Sequence, residues 1–176
     1  MGSTAIRPGY RGHARYSHRV NPDLNDITQE IASDPAAFIG IPLALVGAVF
    51  LLVGVLGFIP GITTDYDSLA GAGHESHAKL LGIFQVSVLH NIVHLLFGAA
   101  GLALARTASS ARAFLIGGGV VYLVLWIYGL VVDKTSQANF VPLNTADDWL
   151  HFVLGLGMIA LGVVLGRRPG AGTVTR

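Results

Sequence analysis

The stretch LLGIFQVSVLHNIVHLLFGAAGLALA, residues 80–105, decides the fold, because it is long, apolar and free of charged residues. A bilayer core about 30 Å thick is crossed by roughly 20 apolar residues of helix. Three further stretches have the same character, and the four predicted spans cover residues 37–59, 80–105, 113–132 and 146–166. The sequence therefore predicts an all-α fold, a four-helix transmembrane bundle.

The composition of the whole chain agrees with a membrane protein. Of its 176 residues, 52% are hydrophobic and 12% are charged, whereas a soluble domain carries about 25% charged residues. Cysteine is absent, which excludes disulfides, thiolate metal sites and haem attached through cysteine. The net charge of +1 and the lack of a basic patch give no support to nucleic-acid binding.

The spans divide the chain into a first tail of residues 1–36, a transmembrane domain of residues 37–166 and a second tail of residues 167–176. Apolar residues at helical spacing predict a short helix over residues 24–32, lying at the membrane surface, with Asp26 and Gln29 as its capping box. The first apolar run is too long for the core of a cleavable signal peptide.

The start of the fourth span carries its own signals. Thr145 is expected to cap that helix, with Asp148 at the third helical position. Carboxylates at a helix start also suit the helix dipole. The sequence therefore places Asp147 and Asp148 in the first turn of the helix rather than in the preceding loop.

Arginine is concentrated in the two tails and in the loop between the second and third spans. These residues are Arg7, Arg11, Arg15, Arg19, Arg106, Arg112, Arg167, Arg168 and Arg176. The other two loops carry only Lys79 and Lys134, among acidic residues. Because basic residues favour the cytoplasmic side of a membrane, both termini are expected to be cytoplasmic.

The second and fourth spans share a polar pattern that indicates an internal duplication. The matching positions are His90 and Asp147, His94 and His151, and Gly98 and Gly155. The first and third spans match more weakly, through Phe50 and Gly57 against Tyr122 and Gly129. The sequence thus predicts two similar helical hairpins, related by an axis along the membrane normal.

The duplication predicts a polar cluster inside the bundle. Residues four apart share one face of a helix, so facing second and fourth spans would bring together His90, His94, Asp147 and His151. Asn91 is rotated away from this face by about 100°. Polar side chains within a membrane span are costly and are therefore candidates for a functional site.

Four interpretations of this cluster stay open. A transition metal would use His90, His94, Asp147 and His151, since imidazole and carboxylate ligands on facing helices suit zinc, copper or iron. Haem b would use His94 and His151, packed by aromatic residues such as Phe84, Phe97, Trp126, Tyr128, Trp149 and Phe152. A proton- or quinone-related site would exploit the near-neutral pKa of histidine. In the structural interpretation, the polar groups only hydrogen-bond one another and fix how the hairpins dock.

The other motifs in the sequence give weaker indications of a functional site. The loop motif His74-Glu75-Ser76-His77 could bind a metal, but its histidines are three apart and it lacks the order of a zinc-protease helix, so an exposed polar loop is favoured. No nucleophile motif and no phosphate-binding loop occurs in the sequence. A transporter is disfavoured, because four spans leave little room for alternating access.

Three segments, residues 52–61, 81–94 and 139–151, resemble a bacterial, largely actinobacterial, membrane-protein family that is labelled only as a domain of unknown function (four-three-eight-three). The resemblance covers about residues 40–166. It implies four spans in the bacterial plasma membrane and supplies no activity.

Small size, the missing catalytic constellation and the appended tail favour a non-catalytic accessory subunit. The expected partners are the lipid bilayer and the other subunits of a larger membrane complex, for example a respiratory one. The alternative is a metal- or haem-b-binding membrane protein that uses the cluster on the second and fourth spans.

Overall fold

The computed structural model describes residues 23–166, which form five helices and a small sheet. The helices are α1 (Leu24–Ser33), α2 (Pro35–Leu56), α3 (Val88–Leu104), α4 (Ala108–Val131) and α5 (Thr145–Leu165). The strands are β1 (Thr63–Thr64), β2 (Lys79–Leu80) and β3 (Phe84–Gln85), and a 3₁₀ turn covers Tyr66–Ser68. The predicted tail of residues 167–176 and most of the first tail lie outside the described residues.

Three helices are long and apolar enough to cross a bilayer: residues 36–56, α4 and α5, with mean hydropathies of 2.7, 2.2 and 1.9. The fourth, α3, is apolar but has only 17 residues, which corresponds to about 26 Å of helix. The predicted all-α membrane bundle is therefore confirmed as a class, whereas the predicted count of four spans is not, because three of the described helices qualify by length and composition.

The predicted second span is wrong over its first third. Residues 79–85 form strands β2 and β3 instead of helix, and helix α3 begins only after Ser87. The backbone reverses at Leu81 and Gly82, whose φ angles are 55° and 72°. This left-handed conformation is incompatible with a right-handed helix, and Ser87 then caps α3 by accepting a 3.1 Å hydrogen bond from the His90 amide.

Two predicted helix caps are also displaced. Helix α1 covers Leu24–Ser33, but its cap is Asp23, which accepts 2.8 Å hydrogen bonds from the amides of Asn25 and Asp26. Helix α5 is capped by Asn144 rather than by Thr145. Asn144 adopts an extended backbone and bonds the first-turn amides, as a capping residue must.

The four long helices pack as two antiparallel hairpins, α2 with α3 and α4 with α5, and α2 also meets α4 at the centre. Glycines allow the helices of each hairpin to approach closely. A Cβ on Gly47 would lie 2.9 Å from the Gly98 carbonyl oxygen, and one on Gly119 would lie 2.7 Å from that of Gly155. Small residues serve helix contacts in membranes in this way.

Aromatic rings fill the centre of the bundle where the hairpins meet. Phe50 of α2 stacks on Tyr122 of α4 with ring centroids 5.5 Å apart. Both residues are almost fully buried, together with Leu43 and Leu115 further along the same helices. The centre is therefore a packed core and not an aqueous channel.

Two connecting segments, residues 57–87 and 132–144, cover one end of the bundle and are called the loop layer below. Its three strands are antiparallel in the order β1-β2-β3, with Thr63 opposite Leu80 and Leu80 opposite Phe84. The segments are joined by a 2.7 Å hydrogen bond from the Gly73 amide to the Phe140 carbonyl. The loop layer is thus held by its own hydrogen bonds and covers the ends of the helices.

The close approach of α4 and α5 gives a testable prediction. A Gly119→Ala variant would force its Cβ against the backbone of Gly155 and the side chain of Ile159, each 2.7 Å away. We expect the free energy of unfolding to fall by about 1–3 kcal/mol, the usual cost of overpacking. Thermal unfolding of the purified protein in detergent measures this.

The matched control is two residues away on the same helix. Gly117 has no atom within 4 Å of the position that a Cβ would occupy, so Gly117→Ala should leave stability unchanged or raise it by up to about 1 kcal/mol through helix propensity. Equal melting temperatures for the two variants would contradict the packing described for Gly119.

Candidate functional site

The four residues of the predicted cluster are buried near the loop-layer ends of α3 and α5. The fractional exposures of His90, His94, Asp147 and His151 are 4%, 8%, 2% and 3%. Each helix presents its pair on the side that faces the bundle interior, since the two residues of a pair are one turn apart. All four side chains line a single cavity of about 200 Å³ beneath the loop layer.

The three imidazole rings form a contiguous group with two aromatic rings. The His90 centroid lies 4.6 Å from that of His94 and 6.4 Å from that of His151. Phe50 lies 5.7 Å from His94, and Tyr122 lies 5.2 Å from His151. His94 and His151 therefore pack against the stacked Phe50 and Tyr122 rings at the bundle centre.

Asp147 has a structural task within this group. Its Oδ2 atom accepts a 2.9 Å hydrogen bond from the Asn144 amide, which completes the capping box of α5. The same oxygen accepts a 3.0 Å hydrogen bond from the Gln85 amide. The carboxylate thereby joins helix α5 to strand β3.

Asp148 and Asn91 point away from the histidines, as their helical rotation predicts. Asp148 binds the Nζ atom of Lys134 through both carboxylate oxygens, each at 2.9 Å. Its carboxylate lies against Gly129, and the Asn91 amide lies against Gly57 in the other hairpin. In both hairpins a glycine makes room for the polar side chain next to the cluster.

Several polar atoms near the cluster have no hydrogen-bond partner among the described residues. They are the Nδ1 atoms of His90, His94 and His151 and both side-chain polar atoms of Asn91. Buried polar groups are normally paired, and unpaired ones call for an explanation. The three histidines therefore retain hydrogen-bonding capacity that the fold itself does not use.

A second cavity lies beside the first, in the seam between α2 and α5. It has a volume of about 370 Å³, and its lining includes Val46, Phe50, His94, His151 and Leu154. The two cavities share four lining residues, which are Val53, His94, Leu150 and His151. His94 and His151 thus stand where the two spaces meet.

The geometry does not favour the metal interpretation. Among residues 23–166, no group of three or more histidine, aspartate or glutamate side chains is placed to hold a metal ion. In the loop motif, His74 pairs with the neighbouring Glu75 at 3.1 Å, while Ser76 is buried and binds the Val86 carbonyl at 2.6 Å. Three of the four residues of that motif therefore have local partners.

The aromatic residues considered for a haem are spread over the bundle. Phe97 packs in the core against Phe50, Phe114 and Tyr122, whereas Phe152 contacts both Trp126 and Trp149 along the α4–α5 hairpin. Of the six, only Phe84 is among the lining residues of the two cavities. They do not form one wall around His94 and His151.

Sequence reasoning missed the residues that shape the second cavity. Val46, Val53, Leu150 and Leu154 are ordinary apolar side chains, and no motif distinguishes them from the other lipid-facing or core positions. Phe50 and Tyr122 were identifiable only as matching positions of the two hairpins. Their contact with the histidines depends on how α2 packs against α3 and how α4 packs against α5.

The class of protein that this fold and site define is a multi-pass helical membrane protein with a buried polar cluster. The chain belongs to the family described as domain of unknown function (DUF4383), whose model matches residues 42–164. The resemblance noted in the sequence is thereby confirmed. No curated protein and no solved structure shows significant similarity to the chain.

The buried ion pair gives a prediction for this part of the molecule. Lys134→Met would leave the Asp148 carboxylate, whose side chain is 5% exposed, without its cation. Loss of one partner of a buried pair costs about 3–5 kcal/mol, and we expect about 2 kcal/mol here because Lys134 is itself 34% exposed. Thermal unfolding in detergent would measure the loss.

The double variant Lys134→Met, Asp148→Asn is the control. It removes the unpaired charge and places at position 148 the amide that Asn91 provides at the matching position of α3. Stability should return most of the way to that of the unsubstituted protein. A double variant no more stable than Lys134→Met alone would show that the loss does not arise from an uncompensated charge.

Proposed function

We propose that the protein is a small, non-catalytic accessory subunit of a larger membrane complex, such as a respiratory one. It would sit in the bacterial plasma membrane with both termini in the cytoplasm. The proposal rests on one observation, the exposed glycine positions on the outside of the α4–α5 hairpin, and is supported by the structural use of the acidic residues near the cluster.

The acidic side chains beside the cavities are engaged in the fold. Asp147 accepts two backbone hydrogen bonds, and Asp148 is held by Lys134. A general acid or base must reach a substrate with a free proton-transferring group. With both carboxylates committed to structure, the arrangement supports a binding or assembly role better than catalysis.

Most glycines in the helices are explained by contacts within the chain. Gly47, Gly98, Gly119 and Gly155 each leave no space for a Cβ, because a neighbouring helix lies within 3 Å of the position that it would occupy. Gly117 and Gly157 differ, since both are exposed and have no atom within 4 Å of that position. Their small size is not required by the packing of this chain.

Gly117 and Gly157 lie at a similar depth in the bundle. Gly119 packs against Gly155 and Ile159, so Gly117 and Gly157 lie within about one helical turn of each other along the bundle axis. Each lies two positions, or about 200° of rotation, from the glycine that contacts the other helix, so the two face opposite outer sides of the hairpin. Glycine lowers helix propensity by about 1 kcal/mol relative to alanine, and small residues at a membrane-facing surface allow another helix to approach closely. We infer that a helix of a partner subunit packs against one of these two sides.

The distribution of charge supports the proposed orientation. Arg106 lies in the turn between α3 and α4, and Arg112 lies near the start of α4, at the end of the bundle opposite the loop layer. The loop layer carries Lys79 and Lys134 beside a larger number of acidic residues. Under the positive-inside rule, the loop layer would face the outside of the cell.

Paired contacts support the proposal that the two hairpins are duplicated units. Gly47 meets Gly98 in one hairpin, and Gly119 meets Gly155 in the other. The Phe50–His94 contact of 5.7 Å has its counterpart in the Tyr122–His151 contact of 5.2 Å. An axis along the membrane normal would exchange the hairpins and pass near the stacked Phe50 and Tyr122 rings.

Site-specific cross-linking in native membranes tests the accessory role. A photoactivatable residue would be placed at position 117 or 157, and at position 48 as the control, where an exposed alanine lies on α2. We expect a cross-linked product of constant mass from 117 or from 157, containing a different integral membrane protein that also co-purifies stoichiometrically, and none from 48. Gly117→Leu or Gly157→Leu, at whichever position gives the product, should abolish the co-purification, whereas Ala48→Leu should not.

Two differently tagged copies of the chain would be expressed together in the same experiment. Cross-links to lipid alone, or to the second copy of this chain, would overturn the proposal of a heterologous partner. A product of the same mass from all three positions would overturn the assignment of the docking face to α4 and α5.

A further inference from the structure

The two adjoining cavities at the α2–α5 seam carry an inference that does not rest on the proposed accessory role. We propose that they bind a neutral, lipid-soluble quinone. The carbonyl-bearing ring would lie at His94 and His151, and its apolar substituent would extend along the seam between α2 and α5.

The bundle has two corresponding seams, and only one of them is filled. At the α3–α4 seam, the ring of Phe97 lies so close to Gly118 that a Cβ there would be 2.7 Å from the Phe97 Cζ atom. Phe97 also packs against Phe114, with centroids 4.7 Å apart. A large side chain therefore fits over a glycine and closes this seam.

The α2–α5 seam has the opposite combination of residues. Leu154 follows His151 by three positions, as Phe97 follows His94, and Val46 precedes Phe50 by four positions, as Gly118 precedes Tyr122. Leu154 and Val46 line the cavity of about 370 Å³. The α3–α4 seam is filled by the Phe97 ring, whereas the α2–α5 seam has the smaller Leu154 at the corresponding position and contains a cavity.

The space is open toward the lipid. Leu45 and Val49, which contribute to its wall, are 64% and 57% exposed on the outer face of α2. A volume of about 370 Å³ is near the lower end of the range of about 300–1,000 Å³ found for ligand pockets. It suits a ring and the first part of an apolar chain, with the remainder of the chain in the bilayer.

Two of the residues that line the space have an unpaired hydrogen-bonding atom. His94 and His151 are more than nine-tenths buried, and the Nδ1 atom of each has no partner among residues 23–166. A neutral imidazole has one donor and one acceptor nitrogen. Two such rings at the end of an apolar cavity match a ligand whose head carries hydrogen-bonding carbonyl oxygens.

The adjoining cavity disfavours an anionic head group. Asp147 lines it together with His90, and the nearby Lys134 cation is already bound by Asp148. A fatty-acid carboxylate or a lipid phosphate would lie close to the Asp147 carboxylate without a free cation to offset the repulsion. A neutral head is therefore favoured over the head groups of common lipids.

The roof of the adjoining cavity is held in an unusual conformation. Leu81 lines this cavity and lies at the tip between β2 and β3, where its φ angle is 55°. A left-handed backbone is uncommon for leucine. The conformation turns the hairpin over the histidines, so that the loop layer closes the inner end of the site.

Binding of short-chain probes to the purified protein in detergent tests the inference. The probes are a naphthoquinone with a short alkyl chain and the matching alkylnaphthalene, which lacks the carbonyl groups. We expect saturable binding of the quinone in calorimetry and at least about tenfold weaker binding of the hydrocarbon. In ¹⁵N-histidine NMR, the ring signals of His94 and His151, assigned through His94→Gln and His151→Gln, should shift on addition of the quinone.

Leu154→Phe is the decisive variant, because it gives the open seam the residue that fills the other one. It should weaken quinone binding by about tenfold or more, while Leu156→Phe, at an exposed position of the same helix, should bind as the unsubstituted protein does. Thermal unfolding verifies that both variants are folded. Should Leu154→Phe unfold, Val46→Phe fills the same space from α2.

Each other outcome counts against the inference. Equal binding of quinone and hydrocarbon would indicate an apolar void that takes any lipid chain. Unchanged quinone binding by a folded Leu154→Phe variant would place the ligand elsewhere. Absence of binding, or quinone binding without a shift of the His94 and His151 signals, would overturn the site.

Discussion

The carboxylate of Asp147 joins helix α5 to the loop layer. Asp147 accepts hydrogen bonds from the amides of Asn144 and Gln85 with the same oxygen, at 2.9 and 3.0 Å. The first bond starts helix α5, and the second fixes strand β3 above it. Buried backbone amides need a hydrogen-bond partner, so this contact helps to fix the position of the loop layer above the cavities.

The helical part of the structure depends on a different constraint, the distance between helix axes. Between helices that are surrounded by lipid, close packing rather than the hydrophobic effect stabilises association. Gly47, Gly98, Gly119 and Gly155 permit that packing within each hairpin. Because both hairpins use glycines in the same way, their histidines arrive at the same level, on either side of the Phe50–Tyr122 stack.

The larger cavity arises because side chains fill one seam of the bundle and not the other. Phe97 over Gly118 makes one seam solid, and Leu154 beside Val46 leaves the other open. Protein interiors are normally close-packed with few voids, so the open space beside Leu154 is an unusual feature of the bundle.

The sequence by itself determined the class of the fold, because apolar runs of membrane-spanning length are read directly from the residues. It also determined which residues of α3 and α5 face inward, since a four-residue spacing fixes a common helix face. Only the tertiary structure decided that residues 79–85 leave the helix, because an apolar run of this kind is compatible with strand as well as helix. It also decided that Asp147 binds backbone amides and that the seam beside Leu154 stays open, since both depend on side chains and amides that are distant in sequence and meet only after the hairpins have packed.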